Sequence, residues 1–258
     1  MEFGMPTLIE CHSLEENAIL AKKLGLSFLE LNMNLPEYQI GNMDLDHFQE
    51  IQRKYGIYYT LHLDENLNIS DFNELVATAY LKTVQQAIAV SRRLNIPILN
   101  MHLSEGVYFT LPDHKEYLFQ QYQDVYLAQM RRLKEKVSEW IGDDPILICI
   151  ENSDGFHPFH KEAISLLLES PHFGMTLDIG HDAIAKQSDL EYILQTQRLR
   201  HIHLHDFNDR SCHLPLGTGN VDVNKMLSLA KSYGTRVVLE TKTISGLKES
   251  VEYVRKQV

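Results

Sequence analysis

Short apolar runs rich in Ile, Leu, Val and Tyr recur along the chain with amphipathic stretches between them, the pattern of buried strands alternating with helices in a parallel sheet. Eight runs read as strands: Pro6–Glu10, Ser27–Asn32, Ile57–Leu63, Ile96–Leu103, Ile146–Glu151, Gly174–Ile179, Arg200–His205 and Arg236–Thr241. Helical periodicity fills the intervals, over Leu14–Leu24, Leu45–Tyr55, Asp71–Leu94, Lys115–Trp140, Lys161–Glu169, Asp189–Thr196, Val223–Tyr233 and Leu247–Lys256. Ser13 precedes the first helix and Glu16 follows three residues later, the spacing of a capping box. The run Pro145–Ile150 is apolar throughout, as a wall buried on both faces requires. Eight strand–helix pairs predict an α/β protein, a single-domain (β/α)8 TIM barrel over residues 1–258. The runner-up is an open Rossmann-like sheet, which lacks its Gly-x-Gly-x-x-Gly turn after the first strand. The Gly-rich segment Leu216–Asn220 follows the seventh strand instead, where it reads as an anion cradle or as a turn into the next helix.

Active sites of such barrels lie at the carboxyl ends of the strands. Six successive predicted strands finish in His, Asp or Glu: the third at His62, the fourth at His102, the fifth at Glu151, the sixth at Asp178 with His181 beyond it, the seventh at His203 and His205, the eighth at Glu240. Buried together without compensation, such carboxylates would cost several kcal/mol each, and a bound divalent cation is the simplest remedy. Each residue alone has an ordinary alternative. A strand-end His is commonly a hydrogen-bonded surface residue, and a strand-end Asp or Glu commonly caps the next helix. Convergence at one rim favours a site. His12, His47, His114, His157, His160, His172 and His201 lie outside that rim, in predicted helices, loops or the early part of a strand. Glu30, ending the second strand, has two readings, pointing into the mouth or forming a salt bridge with a neighbouring Lys or Arg, and the second is preferred; the charge run Arg131–Lys136 is assigned to a solvated helix face.

Composition narrows the partners. The chain has 258 residues, 44% hydrophobic and 23% charged, which is ordinary for a globular protein. With 24 Lys and Arg against 35 Asp and Glu, the net charge of −11 disfavours a phosphate-neutralising surface, and no nucleic acid partner is expected. Cys11, Cys149 and Cys212 are odd in number and widely spaced, which suits free thiols in a reducing cytoplasm. Met1–Pro6 lacks a basic segment leading into an apolar one, and no apolar run is long enough to span a bilayer. A soluble cytoplasmic protein with no membrane partner is therefore expected.

The motifs Ile150-Glu151-Asn152, Leu177-Asp178-Ile179-Gly180-His181, His203-Leu204-His205-Asp206 with the downstream Pro215-Leu216-Gly217-Thr218-Gly219, and Leu239-Glu240-Thr241 resemble the xylose isomerase-like TIM barrels. That superfamily holds sugar isomerases, ketose 3-epimerases, inosose dehydratases and the endonuclease IV group, and the resemblance covers the whole chain. In its ketose epimerases a Glu, an Asp, a His and a Glu from strands five to eight hold one divalent metal. The resemblance gives that role to Glu151, Asp178, His203 and Glu240, and a substrate contact to His181. The endonuclease IV group adds histidines on strands three and four for a three-zinc cluster. His62 and His102 match these, and His213 resembles a ligand of the third zinc. Two positions depart from that group: Ser211 stands where it has an Asp, and Glu65 stands where it has an aromatic residue that probes the lesion. A carboxylate there repels a phosphate backbone, so DNA repair is disfavoured.

The resemblance implies a metal-dependent sugar or sugar-phosphate isomerase or epimerase. One divalent ion is implied, with Mn²⁺ favoured by a mostly oxygen donor set and Mg²⁺, Co²⁺ or Zn²⁺ as alternatives. The ion would polarise a carbonyl and stabilise an enediolate, while Glu151 and Glu240, on strands that face each other across the barrel, remove and return the proton. His181 and His213 would orient hydroxyl groups, and Lys242 would meet a phosphate or carboxylate. Two other classes stay open. One is an endonuclease IV-like multinuclear hydrolase, in which His62 and His102 complete a second metal site bridged by Glu151; the other is a non-catalytic sugar-binding barrel.

Overall fold

Eight parallel strands close into a barrel in sequential order. They are β1 (Glu2–Pro6), β2 (Phe28–Asn32), β3 (Tyr58–His62), β4 (Ile98–His102), β5 (Leu147–Glu151), β6 (Phe173–Asp178), β7 (Leu199–Leu204) and β8 (Arg236–Leu239). The helices α1 (Leu14–Lys23), α2 (Leu45–Tyr55), α3 (Glu74–Leu94), α4 (Gln123–Ile141), α5 (Pro158–Leu167), α6 (Ile179–Ile184), α7 (Ser188–Thr196), α8 (Val223–Tyr233) and α9 (Ile244–Arg255) follow the strands. The computed structural model describes residues 1–153, 155–186, 188–208 and 210–257. Among these no helix is long and apolar enough to cross a membrane.

Local chemistry explains the element ends. Ser13 Oγ accepts the Glu16 N–H at 3.1 Å, but Glu16 Oε2 reaches one residue further than a standard box and accepts the His12 N–H at 2.8 Å. At α2, Asp44 caps the first turn and Gly56, at φ 63°, closes the last one in the left-handed region. The helix faces bury their apolar residues on strands that are buried on both sides, as in β6, where all six residues are buried. The ladders are unequal in length. β2–β3 and β4–β5 each register five residue pairs, whereas β3–β4 registers two, Leu61 with Leu99 and His62 with Asn100.

Two expectations about elements are corrected. The first strand runs over Glu2–Pro6 rather than Pro6–Glu10, pairing Glu2–Gly4 with β8 and Gly4–Pro6 with β2. Gly4 hides this strand from a pattern reading, because it is poor strand material, yet a Cβ there would collide with the Phe28 ring. The expected helix Lys115–Trp140 begins late: Tyr108–Thr110 and Lys115–Tyr117 pair as an antiparallel hairpin, a short helix spans Leu118–Gln121, and α4 starts at Gln123. The turn is closed by the Leu111 N–H bonding to the His114 carbonyl, with Pro112 supplying a fixed φ.

Candidate functional site

The side chains of Glu151, Asp178, His203 and Glu240 meet at the carboxyl end of the barrel, with one potential ligand atom from each within 4.8 Å of all the others. His203 is at the centre. Its Nδ1 lies 2.8 Å from Glu151 Oε1, 2.9 Å from Glu240 Oε2 and 3.9 Å from Asp178 Oδ2. Both His203 ring nitrogens and Glu240 Oε2 are buried, yet none is in hydrogen-bonding geometry. Buried polar atoms rarely go unbonded, so three carboxylate oxygens and one imidazole nitrogen aimed at a common point fit a cation. Asp178 serves two ends at once. Its Oδ1 accepts the His181 N–H at 2.7 Å as the cap of α6, and its Oδ2 faces His203 and His205.

Glu151 is the most heavily held of the group. His102 Nε2 approaches its Oε2 to 2.9 Å and His62 Nε2 to 3.3 Å, and the Asn100 side-chain amide donates to the same oxygen. His62 Nδ1 donates to its neighbour's carbonyl, Leu63 O, at 2.8 Å, which turns Nε2 toward the carboxylate. His62, His102 and Glu151 thus form a second group able to hold an ion. A third comprises Asp178, His205, His213 and Glu240. There the His213 N–H points at His205 Nδ1 at 2.9 Å, and His205 Nε2 lies 3.2 Å from Asp178 Oδ2.

The electrostatics follow from this packing. Burial would raise the Glu151 carboxyl, but the charges of His203 and His102 outweigh it and hold the group well below the usual carboxylate range. The same contest, won by His203, His213 and Lys242, keeps Glu240 ionised. Burial works against a charged His203, yet Glu151, Glu30 and Glu240 hold its ring well above the ordinary value of 6.5. At His62, burial is outweighed by the bond to and charge of Glu151, giving a value of about 9.

Glu30 and His201 differ from the expectation for them. Glu30 is buried and meets no Lys or Arg among the described residues. Its Oε2 accepts from Thr60 Oγ1 at 2.9 Å and lies 2.8 Å from His201 Nε2, while its Oε1 lies 2.7 Å from His203 Nε2. The inward side of a barrel wall offers it histidines rather than the long cations of the surface. His201, placed early in its strand by pattern, is fully buried there. Asn100 and Thr60 also enter the site without having been singled out, and His205, named beside His203 at the end of its strand, joins them. The signal for Asn100 and Thr60 was the alternation of inward positions, two residues before His102 and two before His62.

The Gly-rich segment does cradle an anion, and the anion is the chain's own. Asp206, fully buried, accepts the N–H groups of Phe207 at 3.0 Å, Gly217 at 2.9 Å, Gly219 at 2.8 Å and Val221 at 2.9 Å. A Cβ at Gly219 would strike the Phe207 carbonyl oxygen and the Asp206 carboxylate, so the cradle requires glycine there. Lys242 lies beyond the last residue of β8, and its Nζ pairs with Glu240 Oε1 at 2.7 Å. Beside this pair a cavity of about 270 Å³ is lined by Thr7, Asn32, Asn34, His62, Glu240 and Lys242, with Glu30 and Leu35 at its wall. Of the expected residues, His181 contributes its backbone N–H to Asp178 and packs its ring edge-on at 6.2 Å from His102. His213 Nε2 lies 3.5 Å from Glu240 Oε1. Ser211 and Glu65 are exposed, and neither belongs to a group able to hold an ion among the described residues.

A family model for the xylose isomerase-like TIM barrel matches residues 19–257. No match was found among curated protein sequences. Solved structures share the fold at low identity. A D-tagatose 3-epimerase-like protein is 22% identical with a TM-score of 0.80, covering 100% of this chain and 97% of its own. The 3-keto-D-glucoside 4-epimerase of E. coli is 12% identical with a TM-score of 0.78 and 99% of each chain covered. The IolI protein, solved with a zinc atom bound, is 17% identical with a TM-score of 0.74, covering 100% of this chain and 96% of that one.

Proposed function

The chain belongs to the xylose isomerase-like TIM barrel family, and from that premise we propose that it is a divalent-metal-dependent isomerase or epimerase of a sugar or sugar phosphate. The observation that carries the reading is the pair of glutamates meeting from two sides at His203 Nδ1, at 2.8 and 2.9 Å. Glu151, Asp178, His203 and Glu240 are the residues proposed to hold the ion, which when bound supplies Lewis-acid polarisation of a carbonyl oxygen. Three carboxylates and one imidazole favour Mn²⁺, with Mg²⁺, Co²⁺ and Zn²⁺ also accommodated by such donors. Epimerases acting on ketoses and keto-glucosides among the fold neighbours suggest the substrate class.

In this reading Glu240, which borders the cavity, takes a proton from the carbon beside the carbonyl, and Glu151 returns one from the opposite side. Both are held ionised by their surroundings and are therefore competent as bases. His62, His102 and Asn100 fix the orientation of Glu151. Lys242 offers its ammonium to an anionic group in the cavity, and His181 and His213 serve to orient hydroxyls at the rim.

The test is a panel of ketoses and aldoses, free and phosphorylated, assayed with Mn²⁺ restored in D₂O. Glu151→Gln and Glu240→Gln should each lose about 100-fold or more in turnover, and product from the parent protein should carry solvent deuterium at the reacting carbon. Product without deuterium points to a hydride shift and removes the two-glutamate mechanism. A second reading, a multinuclear hydrolase, is favoured by one observation, the His62–His102–Glu151 group. Elemental analysis separates the two, since the hydrolase needs two or three tight ions.

A further inference from the structure

We infer that Glu30 is a positioning residue for His203, its carboxylate standing behind Nε2 so that Nδ1 is the atom offered to the ion. The inference rests on the proposed ion site and adds a carboxylate behind it. Three features carry it. Glu30 is anchored at one end only: its Oε2 is occupied by the Thr60 hydroxyl at 2.9 Å and by His201 Nε2 at 2.8 Å. The other oxygen is left to face His203 Nε2 at 2.7 Å. The second feature is direction. The two nitrogens of His203 point to opposite sides, Nε2 toward Glu30 from β2 and Nδ1 toward Glu151, Asp178 and Glu240. A carboxylate behind the ring is the arrangement that fixes ring orientation and raises the basicity of the ligating nitrogen. The third is burial. Glu30, His201 and His203 are 3%, 0% and 1% exposed, so a carboxylate here, at the cavity wall but almost wholly buried, would be costly without its imidazole partners.

Glu30, His201 and His203 are also close enough to hold an ion among themselves. That alternative is disfavoured because Glu30 Oε2 is already shared between two donors and His201 Nε2 is spent on it. It makes a distinct prediction, an additional bound ion that disappears with Glu30.

The experiment measures Co²⁺ and Mn²⁺ binding to the metal-stripped full chain by competition with a chromophoric chelator, following the Co²⁺ absorption bands as well. Glu30→Gln keeps the shape and removes the charge. It should weaken binding at the site by about 10- to 100-fold and change the Co²⁺ spectrum, with far-UV circular dichroism unaltered. Thr60→Val, which frees one tether of Glu30 and leaves its carboxylate, should weaken binding by a smaller factor and serves as the test if the Gln variant fails to fold. Affinity within twofold of the parent in the folded Gln variant, or in Thr60→Val where that must substitute, overturns the inference. So does the loss of one ion with the remaining ion bound as tightly as before. These outcomes leave the proposed reaction standing. A parent chain that binds neither ion overturns both the inference and the reading it rests on.

Discussion

Replacing Asp206 is the sharpest probe of how the rim is assembled. Four backbone N–H groups end on its carboxylate, two on each oxygen: Phe207 and Val221 on Oδ1, Gly217 and Gly219 on Oδ2. Hydrogen bonds to a charged acceptor contribute about 1.5–3 kcal/mol each, so the four together set an upper limit of roughly 6–12 kcal/mol, comparable to the whole stability of a domain. The limit is not reached, because Gly217, Thr218, Gly219 and Asn220 are exposed and the freed segment can turn its amides to water. Releasing about four residues returns backbone entropy of about 1–2 kcal/mol each. The expected net loss for Asp206→Ala is therefore about 2–4 kcal/mol by urea unfolding, with the larger effect local. The amides of Gly217, Gly219 and Val221, bonded to the carboxylate in the parent, should exchange faster with solvent hydrogen in the variant than in the parent. Asp206→Asn discriminates acceptor chemistry from volume. Its amide nitrogen would face two N–H donors wherever it is placed, so Asn should be nearly as damaging as Ala. An Asn variant within about 0.5 kcal/mol of the parent, the range of neutral surface changes, would refute the argument.

Other expectations follow from the same structure. Asp178→Ala removes one proposed ligand and the cap of α6. It should leave the protein without stoichiometric metal after dialysis against chelator, as read by elemental analysis. His160 donates from Nε2 to the Ser104 carbonyl at 3.1 Å, and burial pushes its ring from 6.5 down to about 4. Between those values the unfolded chain binds a proton that the folded chain refuses, so stability falls as pH falls through this window, by about 3 kcal/mol at its lower end. Urea titrations of the parent and His160→Gln from pH 7 to about 4 should differ in slope by up to about one proton. Incubation with an abasic duplex and Zn²⁺ should leave the DNA intact; incision that disappears on changing His62 and His102 would restore the hydrolase reading.

The alternation of elements and the rim positions of Glu151, Asp178, His203 and Glu240 were legible because a parallel barrel writes both in local pattern. Strand ends are short-range features, and all chemistry-bearing ends share one face. What stayed hidden depended on contacts across the ring. Glu30 and His201 are 171 positions apart, and nothing near either residue reports the other. Gly4 is poor strand material by itself, and the reason for it, the Phe28 ring, comes from the next strand. The second strand of the hairpin, Lys115–Tyr117, was absorbed into a helix because Lys115 and Glu116 suit a helix surface as well as an exposed ribbon. Asp206 stood beside the motif histidines, but its partners lie 11 to 15 residues onward in a loop. The Gly-rich segment therefore read equally as an anion cradle or as a turn into the next helix.

A closed sheet is a ring, and a ring yields first at its weakest joint. Between β3 and β4 the backbone registers two residue pairs where its neighbours register five. Side chains bridge that joint: His62 from β3, with Asn100 and His102 from β4, converge on one oxygen of Glu151. The carboxylate proposed to move a proton is thus also the clasp of the barrel. Without that carboxylate the β3–β4 joint would keep its two backbone pairs and lose the point on which side chains of both strands meet.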